Sequence, residues 1–188
     1  MIKSIPVEGS PDGILSDPLN DRVYIFSHKA PNVTVINALD GSIAGTFDLG
    51  GACAGLALDV QNQILFAAWS NPRAMVILSA IDGRIITTLP IGKGTDGAAF
   101  NPNTMEAFSS QSDRTLTVIK ESSPTSFALE QTLQTLRGAR TLTLDSQTNI
   151  LYLLAAELGQ PPTTPKPGEF AGRRAMLPGS FTILAVGR

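Results

Sequence analysis

The chain has 188 residues, of which 43% are hydrophobic and 16% are charged, and its formal net charge is −2. This composition supports a buried core, and it lacks the excess of basic residues that binding to nucleic acid requires. The longest apolar runs fall far short of the roughly 20 residues that cross a bilayer, and a single cysteine with a single histidine is too few for a zinc site. We therefore expect a globular domain without a membrane span, a nucleic-acid partner, a metal or a cofactor.

The most informative pattern is a fourfold repeat. In each copy a short strand ends in an acidic or amide residue, and an aromatic residue follows seven positions later. The spacings between successive copies are 42, 42 and 44 residues. A repeat of about 40 residues with four strands is typical of one blade of a β-propeller. The four anchor pairs are Asp17 with Tyr24, Asp59 with Phe66, Asn101 with Phe108, and Asp145 with Tyr152.

Within each repeat the sequence predicts four strands in chain order. The first is rich in glycine and small residues, which suits the crowded inner position, and the second opens on the aromatic residue. The third strands are continuous apolar runs, and Asp40-Gly41 and Asp82-Gly83 predict tight hairpins before the fourth. Fourth strands are predicted at 43–49, 85–91 and 127–133. The fold class is thus all-β, a single propeller domain of four four-stranded blades at about 10–50, 51–92, 93–135 and 136–188.

The last repeat lacks a fourth strand of its own. Residues 1–9 align with an outer strand, so they either complete the last blade by pairing with 181–186 or remain from an upstream blade. An open arc would leave two apolar end faces in water, where patches above about 400 Å² are unusual. At roughly 25 cal/mol/Å², leaving such a face in water costs about 10 kcal/mol of hydrophobic free energy per face. We therefore expect closure of a four-bladed ring, a homodimer that forms a ring of eight, or missing upstream blades.

Four segments carry a resemblance to a known family. They are 84–92 (RIITTLPIG), 96–102 (DGAAFNP), 137–141 (RGART) and the ending 178–188 (PGSFTILAVGR). With them the chain resembles the YVTN or YncE-like β-propeller repeat family, although Tyr24-Ile25-Phe26-Ser27 departs from the Tyr-Val-Thr-Asn signature. The resemblance implies the four-bladed C-terminal portion of a propeller that is usually seven-bladed and often exported. It also implies a periplasmic or extracellular location if the chain belongs to a longer exported protein.

Candidate functional residues cluster on one face of the predicted fold. In a propeller the loops from fourth to first strands and from second to third strands surround the mouth of the central channel. Mixed charges there suit a small anionic ligand or a peptide, while a solvated rim or aspartates that cap loop amides are the alternatives. The candidate ligand-binding residues are Asp12, His28, Arg73, Asp96, Arg114, Arg137 and Arg140.

Two other features of the sequence are less specific. Cys53 and His28 lie on the same predicted face, which raises the hypothesis of a Cys-His nucleophile, but no third residue is evident to orient the histidine. The connection from Leu158 to Gly179 is long, and its proline-rich run at 161–167 favours an extended conformation. It is either a flexible excursion, or a lid or an arm that docks a partner.

These observations lead to two hypotheses about function. The first is a non-enzymatic β-propeller scaffold that binds a protein partner or a small ligand at the loop-rich face. The second is a propeller-type lactonase that hydrolyses a sugar lactone. By resemblance, such enzymes hold a metal with several carboxylate and amide side chains around the axis, where Asp12 and Asp96 are the axial carboxylates of this sequence.

Overall fold

The computed structural model describes residues 4–160 and 174–187, and within them the chain forms strands and no helix. The strands alternate with short turns throughout. They are β1 (Pro11–Asp17), β2 (Arg22–Ser27), β3 (Asn32–Asn37), β4 (Ile43–Asp48), β5 (Cys53–Asp59), β6 (Ile64–Trp69), β7 (Ala74–Ser79), β8 (Ile85–Pro90), β9 (Thr95–Asn101), β10 (Glu106–Gln111), β11 (Thr115–Ser123), β12 (Ser126–Gln134), β13 (Thr141–Asp145), β14 (Ile150–Ala155) and β15 (Thr182–Val186).

These strands form four antiparallel sheets, each built from one repeat of the sequence. The first sheet is β1-β2-β3-β4, the second β5-β6-β7-β8 and the third β9-β10-β11-β12, while the fourth contains β13-β14-β15. The predicted outer strands agree with β4, β8 and β12 to within one residue at each end. The all-β class and the repeated antiparallel sheets are therefore confirmed.

The four anchor residues occupy the same place in all four sheets. Each ends the innermost strand and accepts a hydrogen bond from the backbone N–H two positions on, at 2.9–3.0 Å. This Asx turn is local, because the side chain satisfies an amide that the turn would otherwise leave without a partner. The anchors are Asp17, Asp59, Asn101 and Asp145.

The same turns contain a residue that the sequence did not single out. Four positions after each anchor the backbone has a positive φ between 48° and 59°, although none of these residues is glycine. In the first two sheets the carbonyl of this residue then accepts a hydrogen bond from the residue that follows the third strand, and in the third sheet it accepts one from Glu121 within β11. The left-handed residues are Asp21, Gln63, Met105 and Asn149. A bend of one shape thus joins the first two strands of every sheet.

The sheets stack face to face in sequence order. Their inner strands pack in a row, β1 on β5, β5 on β9 and β9 on β13. Three separate hydrophobic clusters fill the spaces between successive sheets. In the first three sheets the recurrent aromatic residue faces the sheet that follows. Tyr24 lies in the first cluster and donates a hydrogen bond to the carbonyl of Ala80 at 3.0 Å, and Phe66 stacks on Phe100 in the second with ring centroids 5.2 Å apart.

The burial of a residue depends on the place of its sheet in this row. Strands β5 and β6 of the second sheet are buried at every residue, because the first and third sheets cover both of their faces. In the two terminal sheets one face is open. Ile14 on β1 is 73% exposed, whereas Leu56, which has the same position in the second sheet, is 8% exposed.

The N-terminal segment does not complete the fourth sheet. Within the described residues, 4–9 belong to no strand and the fourth sheet has three strands, so pairing of this segment with 181–186 is not seen. The segment lies instead against the first sheet. The amide of Ser10 donates to Ser27 Oγ at 2.8 Å, and Asn32 Nδ2 donates to Glu8 Oε2 at 3.1 Å. The inner strands of the first and fourth sheets lie at opposite ends of the row, so the arc is open.

A buried carboxyl pair links the second and third sheets at the end of the sheets where the anchors lie. Asp59 and Glu121 are 1% and 2% exposed, and Asn62 Nδ2 donates to an oxygen of each, at 2.7 and 2.9 Å. The second oxygen of Glu121 is buried without a hydrogen-bond partner among the described atoms. Burial, and then the nearby Asp59 carboxylate, raise the pKa of Glu121 to about 7.

The close packing of the inner strands predicts the effect of a matched pair of glycine substitutions. A Cβ added to Gly55 would lie 2.7 Å from the backbone N of Ala98, whereas one added to Gly45 would have nothing within 4 Å. We expect Gly55→Ala to lower the free energy of unfolding by about 3 kcal/mol, since backbone must shift to admit the methyl group. Gly45→Ala should change it by less than about 0.5 kcal/mol. Urea unfolding of both variants checks this, and equal effects would contradict the packing.

The carboxyl pair predicts a decrease in stability at rising pH. Folded Glu121 holds its proton up to a pKa of about 7, against 4.5 in the unfolded chain, so the folded state binds more protons between these values. The contribution of Glu121 to the free energy of unfolding should therefore be fully present below pH 4.5 and be lost as the pH rises through 7. In Glu121→Gln this part of the pH dependence should disappear, because the amide stays neutral. Thermal unfolding from pH 4 to 8 measures both, and identical profiles would refute the assignment.

Candidate functional site

The candidate residues predicted from the sequence lie at the loop-rich end of the row of sheets. In each sheet the connection into the inner strand lies beside the turn between the second and third strands. Hydrogen bonds join these segments, for example from the amide of Ser112 to the carbonyl of Gly94 at 2.9 Å and from the amide of Leu49 to the carbonyl of Pro31 at 2.8 Å. One end of the stacked sheets therefore collects both sets of loops.

A cavity of about 420 Å³ opens at this end, between the third and fourth sheets. Its size falls within the range of small-molecule sites. Arg114 comes from the turn between β10 and β11, and Arg137 from the connection between β12 and β13. Glu157 follows β14, while Ser180 and Thr182 lie at the start of β15. The remaining lining residues are Leu136, Gly138, Ala155, Ala156 and Leu158.

Local backbone structure places the two arginines at the cavity. Arg114 has a φ of 74° in a tight turn, and its carbonyl accepts a hydrogen bond from the amide of Thr135 at 2.8 Å. This bond ties the β10–β11 turn to the end of β12, two residues before Arg137. A second turn follows, in which the amide of Ala139 donates to the carbonyl of Leu136 at 3.1 Å. Both guanidinium groups thus belong to the rim of one cavity.

The electrostatics of the cavity favour an anion. Neither Arg114 nor Arg137 forms an ion pair with the residues that the structure describes. Among the lining residues that the structure describes, Glu157 is the only acidic one, so the described charged lining carries two cations against one anion. Guanidinium groups present planar, forked donors that match carboxylate and phosphate oxygens. The cavity can therefore offer two such donors to a small acidic ligand.

The two carboxylates that the sequence placed near the channel, Asp12 and Asp96, each lie beside a basic side chain. Asp12 Oδ2 lies 2.8 Å from His28 Nε2, an ion pair when the imidazole is protonated, and Asp96 Oδ1 lies 3.8 Å from Arg140 Nε. Thr141 Oγ1 also donates to Asp96 Oδ2 at 3.0 Å. The Asp96 pair bridges the third and fourth sheets beside the cavity, whereas the Asp12 pair lies in the first sheet. These contacts organise the loop-rich end and leave Asp12 and Asp96 with less capacity to bind a cation.

The structure separates the remaining candidates. Arg73 lies exposed in the turn between β6 and β7 and does not line the cavity. Cys53 is fully buried, and its thiol donates to the carbonyl of Gly55 at 3.1 Å. Burial raises the pKa of this thiol to about 12, so it is protonated at neutral pH. The Cys53–His28 nucleophile hypothesis is therefore wrong.

Several lining residues were absent from the sequence prediction. Ser180 and Thr182 reach the cavity only because β15 pairs with β14 after the long connection. The ends of that connection pair with each other, since the amide of Gly159 donates to the carbonyl of Ala175 and the amide of Leu177 to the carbonyl of Glu157. The proline-rich run at 161–167 lies outside the described residues. Its sequence gave no signal that its flanks would border a cavity.

Two kinds of feature are absent from the part of the chain that the structure describes. Within residues 4–160 and 174–187, no group of three or more His, Cys, Asp and Glu side chains is arranged to hold a metal ion. In the same ranges, no helix is long and apolar enough to span a membrane.

The comparisons with known proteins support the fold alone. The sequence matches no protein-family model and no curated relative. Among solved structures, it is similar to a chain described as Kuenenia stuttgartiensis hydrazine synthase, with a TM-score of 0.71 and 15% sequence identity. The match covers 80% of this chain and 43% of that chain, so this chain spans less than half the length of its structural neighbour. The repeated-sheet architecture is consistent with a β-propeller.

The buried thiol gives a direct prediction for Cys53. Iodoacetamide at pH 7 should leave the folded protein unlabelled during the time in which the chain unfolded in urea is fully modified, because only the thiolate reacts. Mass spectrometry measures the modified fraction. Equal labelling of folded and unfolded protein would show that the thiol is accessible and activated, contrary to its burial.

Proposed function

We propose that the four sheets are consecutive blades of a YVTN or YncE-like β-propeller. We propose further that the protein is a non-enzymatic scaffold that binds a small anionic ligand at its loop-rich end. The observation that carries this proposal is the cavity between the third and fourth sheets, with Arg114 and Arg137 on its rim and no ion pair to neutralise either within the described residues. A carboxylate or phosphate is the ligand chemistry that these side chains fit.

The rest of the cavity supports recognition without catalysis. Its floor includes aliphatic side chains, and the hydroxyl groups of Ser180 and Thr182 supply polar contacts at fixed positions. Ser180 Oγ donates to the carbonyl of Leu177 at 2.7 Å and accepts from the amide of Glu157 at 3.1 Å, so the backbone holds this hydroxyl in place. The lining residues that the structure describes include no cysteine and no serine or threonine paired with a histidine. A small acid with an aliphatic body is therefore the ligand that fits best.

The lactonase hypothesis receives less support than the scaffold. A metal-dependent hydrolase needs carboxylates free to coordinate a cation, but Asp96 lies beside the guanidinium of Arg140 and Asp12 contacts the imidazole of His28. Arg140 also places a positive charge where a metal would bind. The acidic balance of the chain makes nucleic acid an unfavourable partner.

The test of this proposal compares three arginines of the same end. Citrate, succinate and inorganic phosphate are titrated by calorimetry into wild-type protein and into the double variant Arg114→Gln/Arg137→Gln. We expect at least one acid to bind the wild type, and we expect its affinity to fall by at least about tenfold in the double variant, since each charge-assisted hydrogen bond contributes about 1.5–3 kcal/mol.

Arg73→Gln is the matched control, because it removes one exposed arginine from the same end but outside the cavity. Its affinity for the acid should equal that of the wild type. Absence of binding by all three acids, or an equal loss in Arg73→Gln, would refute a specific anion site. Thermal unfolding of each variant shows whether the substitutions leave the fold intact.

A further inference from the structure

The two terminal sheets present open faces whose residues are buried everywhere else in the row. On the fourth sheet, Ile183 is 58% exposed, whereas the residues with the same pairing position in the other sheets are fully buried. Those equivalent residues are Val33, Met75 and Leu116, each with 0% exposure. On the first sheet, Ile14 is 73% exposed against 8% for its equivalent, Leu56. Each open face therefore has the side chains of an inter-sheet core but no sheet packed on it.

The two open faces are complementary, because each corresponds to one side of the interfaces between successive sheets. Each internal interface joins the face that carries the anchor aromatic of one sheet to the opposite face of the next sheet. The fourth sheet leaves the aromatic-bearing face open, with Tyr152, Leu154 and Ile183. The first sheet leaves the opposite face open, with Ile14, Val23 and Ile25. The fourth sheet of one molecule can thus stack on the first sheet of another as successive sheets do within the chain.

The N-terminal segment has the character of an outer strand. A glycine with positive φ precedes each inner strand, at Gly9, Gly50, Gly94 and Gly138. In the last three cases the outer strand of the preceding sheet leads into this glycine. Residues 4–8 lead into Gly9 with alternating exposed and half-buried side chains, as in β4. They therefore follow the path of the outer strand of a sheet stacked on the first sheet.

The fourth sheet lacks that strand within the described residues. Its last strand, β15, is exposed or half-buried along its length, whereas the third strands β3, β7 and β11 are mostly buried. An edge strand of this kind has unpaired backbone N–H and C=O groups that can pair with another strand. Residues 4–8, which belong to no strand, could thus supply the outer strand that the fourth sheet lacks.

From these observations we propose that two copies of this chain associate head to tail, with the fourth sheet of each stacked on the first sheet of the other. Residues 4–8 of each copy pair with β15 of its partner as the fourth strand of that sheet. Because the contact uses two different faces, two copies related by a twofold axis form two identical interfaces and close a ring of eight sheets. This proposal does not rest on the proposed function, although β15 takes part in the interface and its Thr182 also lines the cavity.

Solution mass is the first test. We expect light scattering after gel filtration to give twice the 19.8 kDa of the chain at micromolar concentration. Ile14→Arg or Ile183→Arg alone should give the monomer mass, since each places a charge in both interfaces. Leu39→Arg is the control, because Leu39 is 78% exposed in the β3–β4 turn and lies away from both end faces. It should leave the dimer unchanged. A wild-type monomer, or a mass that grows without limit as concentration rises, would overturn the proposal.

A mixing experiment distinguishes head-to-tail pairing from pairing of like faces. A heterodimer of the Ile14→Arg and Ile183→Arg variants contains both arginines in one interface and has the other interface intact. Mixing the two monomeric variants should therefore restore the dimer mass, and failure to do so would overturn the head-to-tail arrangement. Circular dichroism of each variant before mixing establishes that both are folded.

Removal of residues 1–8 tests the exchanged strand. The dissociation constant of the dimer, measured by sedimentation, should rise by at least about tenfold because each fourth sheet loses its outer strand. An unchanged dissociation constant would overturn the strand exchange while leaving the face-to-face contact to the mixing experiment.

Discussion

The close approach of the inner strands is the constraint on which the structure depends. Gly55 lies so near the backbone of Gly97 and Ala98 that a methyl group would not fit. This distance sets the spacing of the second and third sheets and therefore closes the core between them. The four Asx turns lie at one end of the row and the remaining loops at the other. The cavity with Arg114 and Arg137 lies at the loop-rich end of the next pair of stacked sheets, the third and fourth.

The same stacking explains why stability and binding are unevenly distributed. The second sheet is covered on both faces, whereas the fourth is covered on one and has β15 at its edge. The cavity takes Ser180 and Thr182 from this less protected sheet. Any contact that orders the fourth sheet therefore also fixes one wall of the ligand site. The row of sheets thus places its candidate binding site beside the open face that we propose packs on a partner sheet.

Local chemistry decides which features the sequence could predict. The anchors were predictable because an Asx turn depends on one side chain and an amide two residues away. Gly41 and Gly83 have positive φ in the predicted hairpins for the same local reason. Gln63 and Met105 were missed, since neither residue type signals a left-handed backbone. The pairing of Asp59 with Glu121, and that of Asp96 with Arg140, depend on the register between sheets, which no local pattern encodes. The path of residues 4–9 depends on a sheet contact and was likewise beyond the sequence.

The most direct test of the stacked-sheet arrangement is the contact between β5 and β9 in solution. Nuclear Overhauser effects from the α protons of Gly55 to the amide proton of Ala98 report this contact without any substitution. The account predicts a strong effect, because a Cβ on Gly55 would lie 2.7 Å from the Ala98 nitrogen. Absence of this effect, in spectra that show the β5–β6 and β9–β10 cross-strand contacts, would contradict the stacking of the sheets and the site built on it.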